Sequence, residues 1–204
     1  MVFDLGGVLE IGDVIDRGVR PAWLAHMCEQ RGWDEAELDL RFRNADLPAD
    51  PPHAVLQDSY RRSFELDTET FSDFWRGFWD WYCGELNTEL WHFITTQLVG
   101  RFRLAILSNS GPGARVEEEA RYELSRNFDP IVYSHEIGVA KPATEAFAVL
   151  QQRLGVPYEQ TCFVDDSAAN LRVAERLGMT AVLHTEGETA RVIQTLRRKL
   201  ELLH

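Results

Sequence analysis

The sequence predicts an α/β protein: a parallel sheet with helices on both faces, interrupted near its start by an inserted helical bundle. Three observations predict it. Short apolar runs alternate with amphipathic stretches through the second half of the chain, the pattern that builds parallel sheets through helical crossovers. Three of those runs end in polar residues, at Asp4, Ser108 and Asp165-Asp166, and the carboxyl ends of such strands are where open α/β sheets gather ligands. Residues 13–96 differ in texture, with many aromatic residues and little β-branched alternation.

The elements follow in order. Met1-Val2-Phe3 is a short first strand running into Asp4-Leu5-Gly6-Gly7-Val8-Leu9. Beyond it, Phe71, Phe74, Trp75, Phe78, Trp79 and Tyr82 recur at helical spacing, and Trp23, Trp81 and Trp91 share the same region, so 13–96 reads as helices with one buried stripe. Leu47-Pro48-Ala49-Asp50-Pro51-Pro52 breaks two of them, because proline cannot continue a helix. Strand–helix alternation then begins. Residues 103–107 form a strand ending at Ser108-Asn109-Ser110-Gly111, and a charged helix occupies 113–126. Residues 130–134 form a strand and 144–154 a helix stopped by Gly155. Residues 161–164 form a strand ending in Asp165-Asp166, 168–177 a helix stopped by Gly178, 180–183 a strand and 188–202 the last helix. The whole is a Rossmann-like α/β core, 1–12 with 97–204, carrying an α-helical bundle at 13–96 as a cap.

Composition narrows the function. The 204 residues hold 21 basic and 33 acidic side chains, a net charge of −12, which argues against a nucleic-acid partner because that role needs a basic footprint. An anionic small substrate stays open, since a local site can oppose the global charge. No apolar run reaches the ~18 residues of a membrane span, and Met1-Val2-Phe3-Asp4 lacks the basic and apolar regions of a secretion signal. Cys28, Cys83 and Cys162 have neither metal-ligand nor redox spacing. The expected compartment is the cytoplasm, as a monomer or a homodimer.

Taken singly, Asp4 could end a strand, Asp165-Asp166 could cap a helix, and Lys141 could be a solvated surface lysine. Taken together, at the ends of strands in one parallel sheet, the strand-end residues are expected to converge. Carboxylates within ~4 Å repel by roughly 4 kcal/mol per pair at an effective dielectric of 20, so their convergence needs a cation. Oxygen-only ligands suit Mg²⁺ better than Zn²⁺, and carboxylate-bound Mg²⁺ usually serves a phosphate. Ser108 and the amides after it supply donors to phosphate oxygens. Lys141, between Gly138-Val139-Ala140 and Pro142, adds positive charge.

These residues carry a resemblance. Phe3-Asp4-Leu5-Gly6-Gly7-Val8-Leu9, Leu107-Ser108-Asn109, Gly138-Val139-Ala140-Lys141-Pro142, and Phe163-Val164-Asp165-Asp166 with Asn170, Ala174 and Gly178-Met179 resemble the four ordered motifs of the haloacid dehalogenase (HAD) superfamily. The closest likeness is to its phosphatase-like branch with a helical cap after the first motif. The resemblance implies a Mg²⁺-dependent hydrolase of small phosphorylated metabolites. Asp4 would be the nucleophile and a metal ligand, Gly6 would offer its carbonyl to the metal, and Asp165 and Asp166 would complete the metal shell. Asp166 would alternatively orient Lys141. Ser108, the Asn109 amide and Lys141 would bind the phosphoryl group, and Asn170 would brace the loop.

The sequence departs from that pattern at Gly6, where most phosphatases of the family place a second aspartate as general acid and base. Candidate substitutes are Glu10, Asp13, His26 and His53. Ala143, where the family often has aspartate, is a second departure of small expected consequence. Two other readings remain: a non-catalytic or regulatory protein that keeps the fold and binds phosphate, and a metal-free 2-haloacid dehalogenase. The paired Asp165-Asp166 argues against the second.

Overall fold

The structure, a computed structural model, describes residues 1–12, 22–43 and 51–201. Among them are seven strands: β1 (Val2–Phe3), β2 (Glu10–Ile11), β3 (Glu85–Leu86), β4 (Ala105–Ser108), β5 (Ile131–Tyr133), β6 (Cys162–Asp165) and β7 (Thr180–Leu183). The helices are α1 (Ala22–Arg31), α2 (Glu35–Arg43), α3 (His53–Ser63), α4 (Thr68–Cys83), α5 (Thr88–Phe93), α6 (Ala114–Tyr122), α7 (Ser134–Ile137), α8 (Thr144–Leu154), α9 (Ala168–Arg176) and α10 (Thr189–Glu201).

Five strands form one parallel sheet in the order β5-β4-β1-β6-β7. The two-residue β1 lies at its centre, with Phe3 paired to Ile106 on one side and Val164 on the other. Its shortness is tolerated because both neighbours are longer and complete its ladder. Side chains alternate strictly between the faces, as period-2 geometry requires. Val2, Ala105, Leu107, Val132 and Phe163 pack with Phe147 and Leu150 of α8 and Leu171 and Ala174 of α9. Phe3, Ile106, Tyr133 and Val164 face the opposite cluster, with Leu90 and Phe93 of α5 and Val192 and Leu196 of α10. The expected α/β sheet with helices on both faces is the architecture observed.

The helical segment before β4 builds on aromatic burial. Asp67 caps α4, accepting from the Thr70 amide at 2.9 Å, and Phe71, Phe74, Trp75, Trp79 and Cys83 are its buried stripe. Leu56 of α3 and Trp79 press on the entry to α6: a Cβ at Gly113 would stand 2.6 and 2.8 Å from them, and Gly113 has φ +93°. Only glycine fits both demands. Glu117 of α6 ties the same surfaces together, accepting from Trp75 at 3.2 Å and pairing with His53 at 3.0 Å and Arg121 at 2.6 Å.

Two expectations need correction. The stretch 13–96 is not helical throughout: the chain leaving the sheet and the chain returning to it pair as an antiparallel ribbon, β2 with β3. Just after it, α5 packs on α10 of the sheet layer, with Arg197 over the Phe93 ring at 5.6 Å. The helix expected over 113–126 ends at Tyr122, because Glu123 takes a left-handed φ of 49° and a tight turn at Leu124–Arg126 buries Leu124. The expected break over 47–52 and the candidate donor Asp13 fall wholly or partly outside the described residues, which include only Pro51 and Pro52 of that break.

Candidate active site

The carboxyl edge of the sheet brings together residues more than 160 positions apart. Asp4 follows β1, and its amide donates to the Val164 carbonyl at 2.9 Å, which extends the ladder and fixes where the side chain emerges. Its Oδ1 accepts from the Leu5 amide at 2.8 Å. Asp165 ends β6 and is fully buried; its carboxylate accepts from Ser167 N at 2.8 Å and from Asn170 Nδ2 at 3.0 and 3.1 Å. One oxygen each of Asp4, Asp165 and Asp166 lie within 4.8 Å of one another.

Lys141 enters from the loop before α8. Its ammonium lies 2.7 Å from Asp4 Oδ2 and 2.8 Å from Asp165 Oδ2, with its side chain almost wholly buried. Burial alone would lower the Lys141 ammonium; the charges of Asp4 and Asp165 outweigh it and hold the group above its ordinary range. Burial pushes the Asp4 carboxyl up, to about 8, against the pull of Lys141 and with a further push from Asp165. A bound cation would reverse that rise, because it favours the ionised carboxylate.

The loop after β1 explains its glycines. The amides of Leu9 and Glu10 both donate to the Leu5 carbonyl at 2.9 Å, and Gly7 N donates to the Glu10 carbonyl at 2.7 Å, so the chain folds back and sets Glu10 beside Gly6. Gly7 has φ +75°, and a Cβ there would stand 2.3 Å from Asp166 Oδ2. The absent side chain is the space that Asp166 occupies. An all-oxygen set around a glycine cradle suits a hard, small cation such as Mg²⁺.

The expected residues converge. Asp4, Gly6, Ser108, Asn109, Lys141, Asp166 and Asn170 line one cavity of about 610 Å³, and Asp165 lies against it through Lys141. Lys141 donates to Asp165 at 2.8 Å, and Asn170 braces Asp165 directly. Of the proposed substitute donors, only Glu10 among the described residues lines this cavity. His53 is engaged with Glu117 and Trp75, and His26 bonds Gln30 at 2.9 Å within α1. Phe78 and Tyr82 of α4, from the expected aromatic stripe, line the same cavity, and sequence reasoning missed Glu118 of α6 beside them. The signal for Glu118 was its four-residue spacing from Ala114, which puts both on the buried face of α6; the run Glu117-Glu118-Glu119 masked it as a solvated stretch.

The central strand of the parallel sheet thus leads into an aspartate on which a lysine and two further aspartates converge. A family model for haloacid dehalogenase-like hydrolases matches residues 1–178, and the chain belongs to that family. Solved structures share the fold. A HAD family enzyme from Bacteroides thetaiotaomicron, in complex with magnesium and inorganic phosphate, superposes with a TM-score of 0.64 at 20% identity, covering 92% of this chain and 94% of that one. A HAD-like family hydrolase from Porphyromonas gingivalis gives 0.61 at 24% identity, covering 96% of each chain. L-2-haloacid dehalogenase from Xanthobacter autotrophicus gives 0.55 at 17%, covering 93% of this chain and 80% of that one.

Proposed function

We propose that the protein is a Mg²⁺-dependent phosphatase of small phosphorylated metabolites, acting in the cytoplasm through an aspartyl-phosphate on Asp4. The observation that carries the reading is the cluster of Asp4, Asp165 and Asp166 within 4.8 Å, next to the buried Lys141. Similarity to a fold crystallised with magnesium and phosphate agrees with it. A metal-free dehalogenase has no use for the third carboxylate, Asp166, held over Gly7.

In this reading Asp4, the Gly6 carbonyl, Asp165 and Asp166 hold Mg²⁺, which when bound supplies positive charge to the phosphoryl oxygens. The Asp4 oxygen attacks phosphorus, the bond from phosphorus to the leaving oxygen breaks, and that oxygen departs with the bonding pair as an anion that takes its proton from solvent water. Lys141 offsets charge at Asp4, while Ser108 and the Asn109 amide hold the transferring group. Water then cleaves the acyl phosphate, returning Asp4 and releasing inorganic phosphate. Gly6 carries no proton donor, and general acid catalysis is typically worth about 10²–10⁴-fold, so leaving groups that need little protonation are favoured. Helices α1 to α4, inside 13–96, act as the cap that shields the reaction from water.

Phosphate release from p-nitrophenyl phosphate, with Mg²⁺ or with chelator, is the test. Wild type releases phosphate only with the metal, and Asp4→Asn does not. Activity that survives Asp4→Asn overturns the mechanism. Tight phosphate binding without turnover on any ester supports the non-catalytic member of the fold instead.

A further inference from the structure

The cavity that holds the nucleophile also carries two carboxylates outside the cluster of Asp4, Asp165 and Asp166. Glu10 and Glu118 line it and are only 2% and 1% exposed. Glu10 Oε1 has no hydrogen-bond partner among the described residues. Glu118 accepts from the Tyr133 hydroxyl. The nearby cations are committed elsewhere: Arg121 to Glu117 and Asp80, and Arg115 to Glu136. Among the described residues neither carboxylate has an ion-pair partner of its own, and a buried carboxylate stays ionised only beside a paired opposite charge.

Two aromatic rings join these carboxylates in the lining. Phe78 and Tyr82, one turn apart on α4 with ring centroids 6.2 Å apart, line the same cavity. Aromatic faces ligate no hard metal ion but attract organic cations through their quadrupoles. Carboxylates and rings together describe a seat for an ammonium or similar nitrogen cation.

We propose that the substrate's leaving group carries a cationic nitrogen, seated between Glu10 and Glu118 with Phe78 and Tyr82 beside it. This rests on the phosphatase reading and narrows its substrates to aminoalkyl-type phosphate monoesters. It also bears on the missing acid at Gly6. A cation fixed near the departing oxygen stabilises the negative charge that develops there, so the ester brings part of what the protein lacks.

The experiment compares ω-aminoalkyl phosphates of two to five carbons with their alkyl isosteres, by kcat/KM with Mg²⁺ and by calorimetric binding. Wild type is expected to favour at least one aminoalkyl ester by tenfold or more over its isostere. Glu10→Gln is expected to reduce that ratio at least tenfold, and Glu118→Gln reads the same ratio if the first variant does not fold. Equal kcat/KM across every pair, with p-nitrophenyl phosphate hydrolysed, overturns the cation seat and leaves the phosphatase reading standing. A preference unchanged in a folded variant also overturns it. Selective binding of an aminoalkyl phosphate without turnover of any ester supports the seat and overturns the phosphatase reading. Neither binding nor turnover overturns both.

Discussion

Asn109 and Lys141, 32 residues apart, exchange two hydrogen bonds: Lys141 N donates to Asn109 Oδ1 and Asn109 Nδ2 donates to the Lys141 carbonyl, both at 2.8 Å. A side-chain amide thus imitates a strand partner and pins the backbone that carries the buried ammonium. Asn109→Ala removes both bonds and Asn109→Asp removes the donor. Both variants are expected to fold and to lose about 10- to 100-fold in kcat, since a displacement near 1 Å at a reacting group costs about that much. Steady-state kinetics check this; a variant with unchanged kcat shows that Lys141 is held by Asp4 and Asp165 alone.

Gly7 sets the place of Asp166. Adding a methyl group puts a Cβ 2.3 Å from Asp166 Oδ2 at a φ of +75°, and both the overlap and the left-handed backbone count against it. Gly7→Ala is expected to raise the Mg²⁺ concentration for half-maximal activity tenfold or more. It should also destabilise the fold by about 1–3 kcal/mol, as read by metal titration and denaturant unfolding.

Stability of the metal-free protein is expected to fall as pH rises from about 5 to 8. Burial pushes the Glu118 carboxyl up to about 8, against the opposing hydrogen bond from Tyr133, and pushes Glu10 well above its usual range. Between the ordinary glutamate value of ~4.3 and the raised one, the folded state binds more protons than the unfolded state. Stability is therefore fully present at low pH and lost as pH passes through the raised value. Glu118→Gln should flatten that slope in melts run across pH. Asp4, raised in the same direction, keeps part of it.

Asn87 joins three segments, the loop after β1, α5 and α10, and is buried. It caps α5 by accepting from the Leu90 amide at 3.2 Å, and its Nδ2 donates to the Val8 carbonyl at 3.0 Å and Thr189 Oγ1 at 3.1 Å. Asn87→Ala removes a cap worth about 1 kcal/mol and leaves a buried carbonyl short of a donor, at about 1–3 kcal/mol. A loss of about 2–4 kcal/mol is expected in chemical denaturation, with only a small change in kcat.

Much of the fold was legible because it follows from local patterns. The apolar runs at 162–165 and 180–183 and the helix at 144–154 lie within a residue or so of where expected, since period-2 and period-3.6 burial is written in adjacent residues. The β2–β3 ribbon was not legible: two residues on each side carry no periodicity, and only the meeting of the outgoing and returning chain makes them strands.

The site divides in the same way. The sequence by itself determined which groups could act, because Asp4, Ser108, Lys141 and Asp165-Asp166 each stand where a strand or rigid loop must end at the ligand-binding edge of a parallel sheet. Tertiary structure alone decided how they are shared out. It gave Lys141 to Asp4 and Asp165, placed Asp166 over Gly7, and turned Glu118 out of an acidic run into the cavity beside Glu10. The physical reason is that a side chain's chemistry is local, whereas its charge partners and its access to water depend on contacts between segments far apart in the chain.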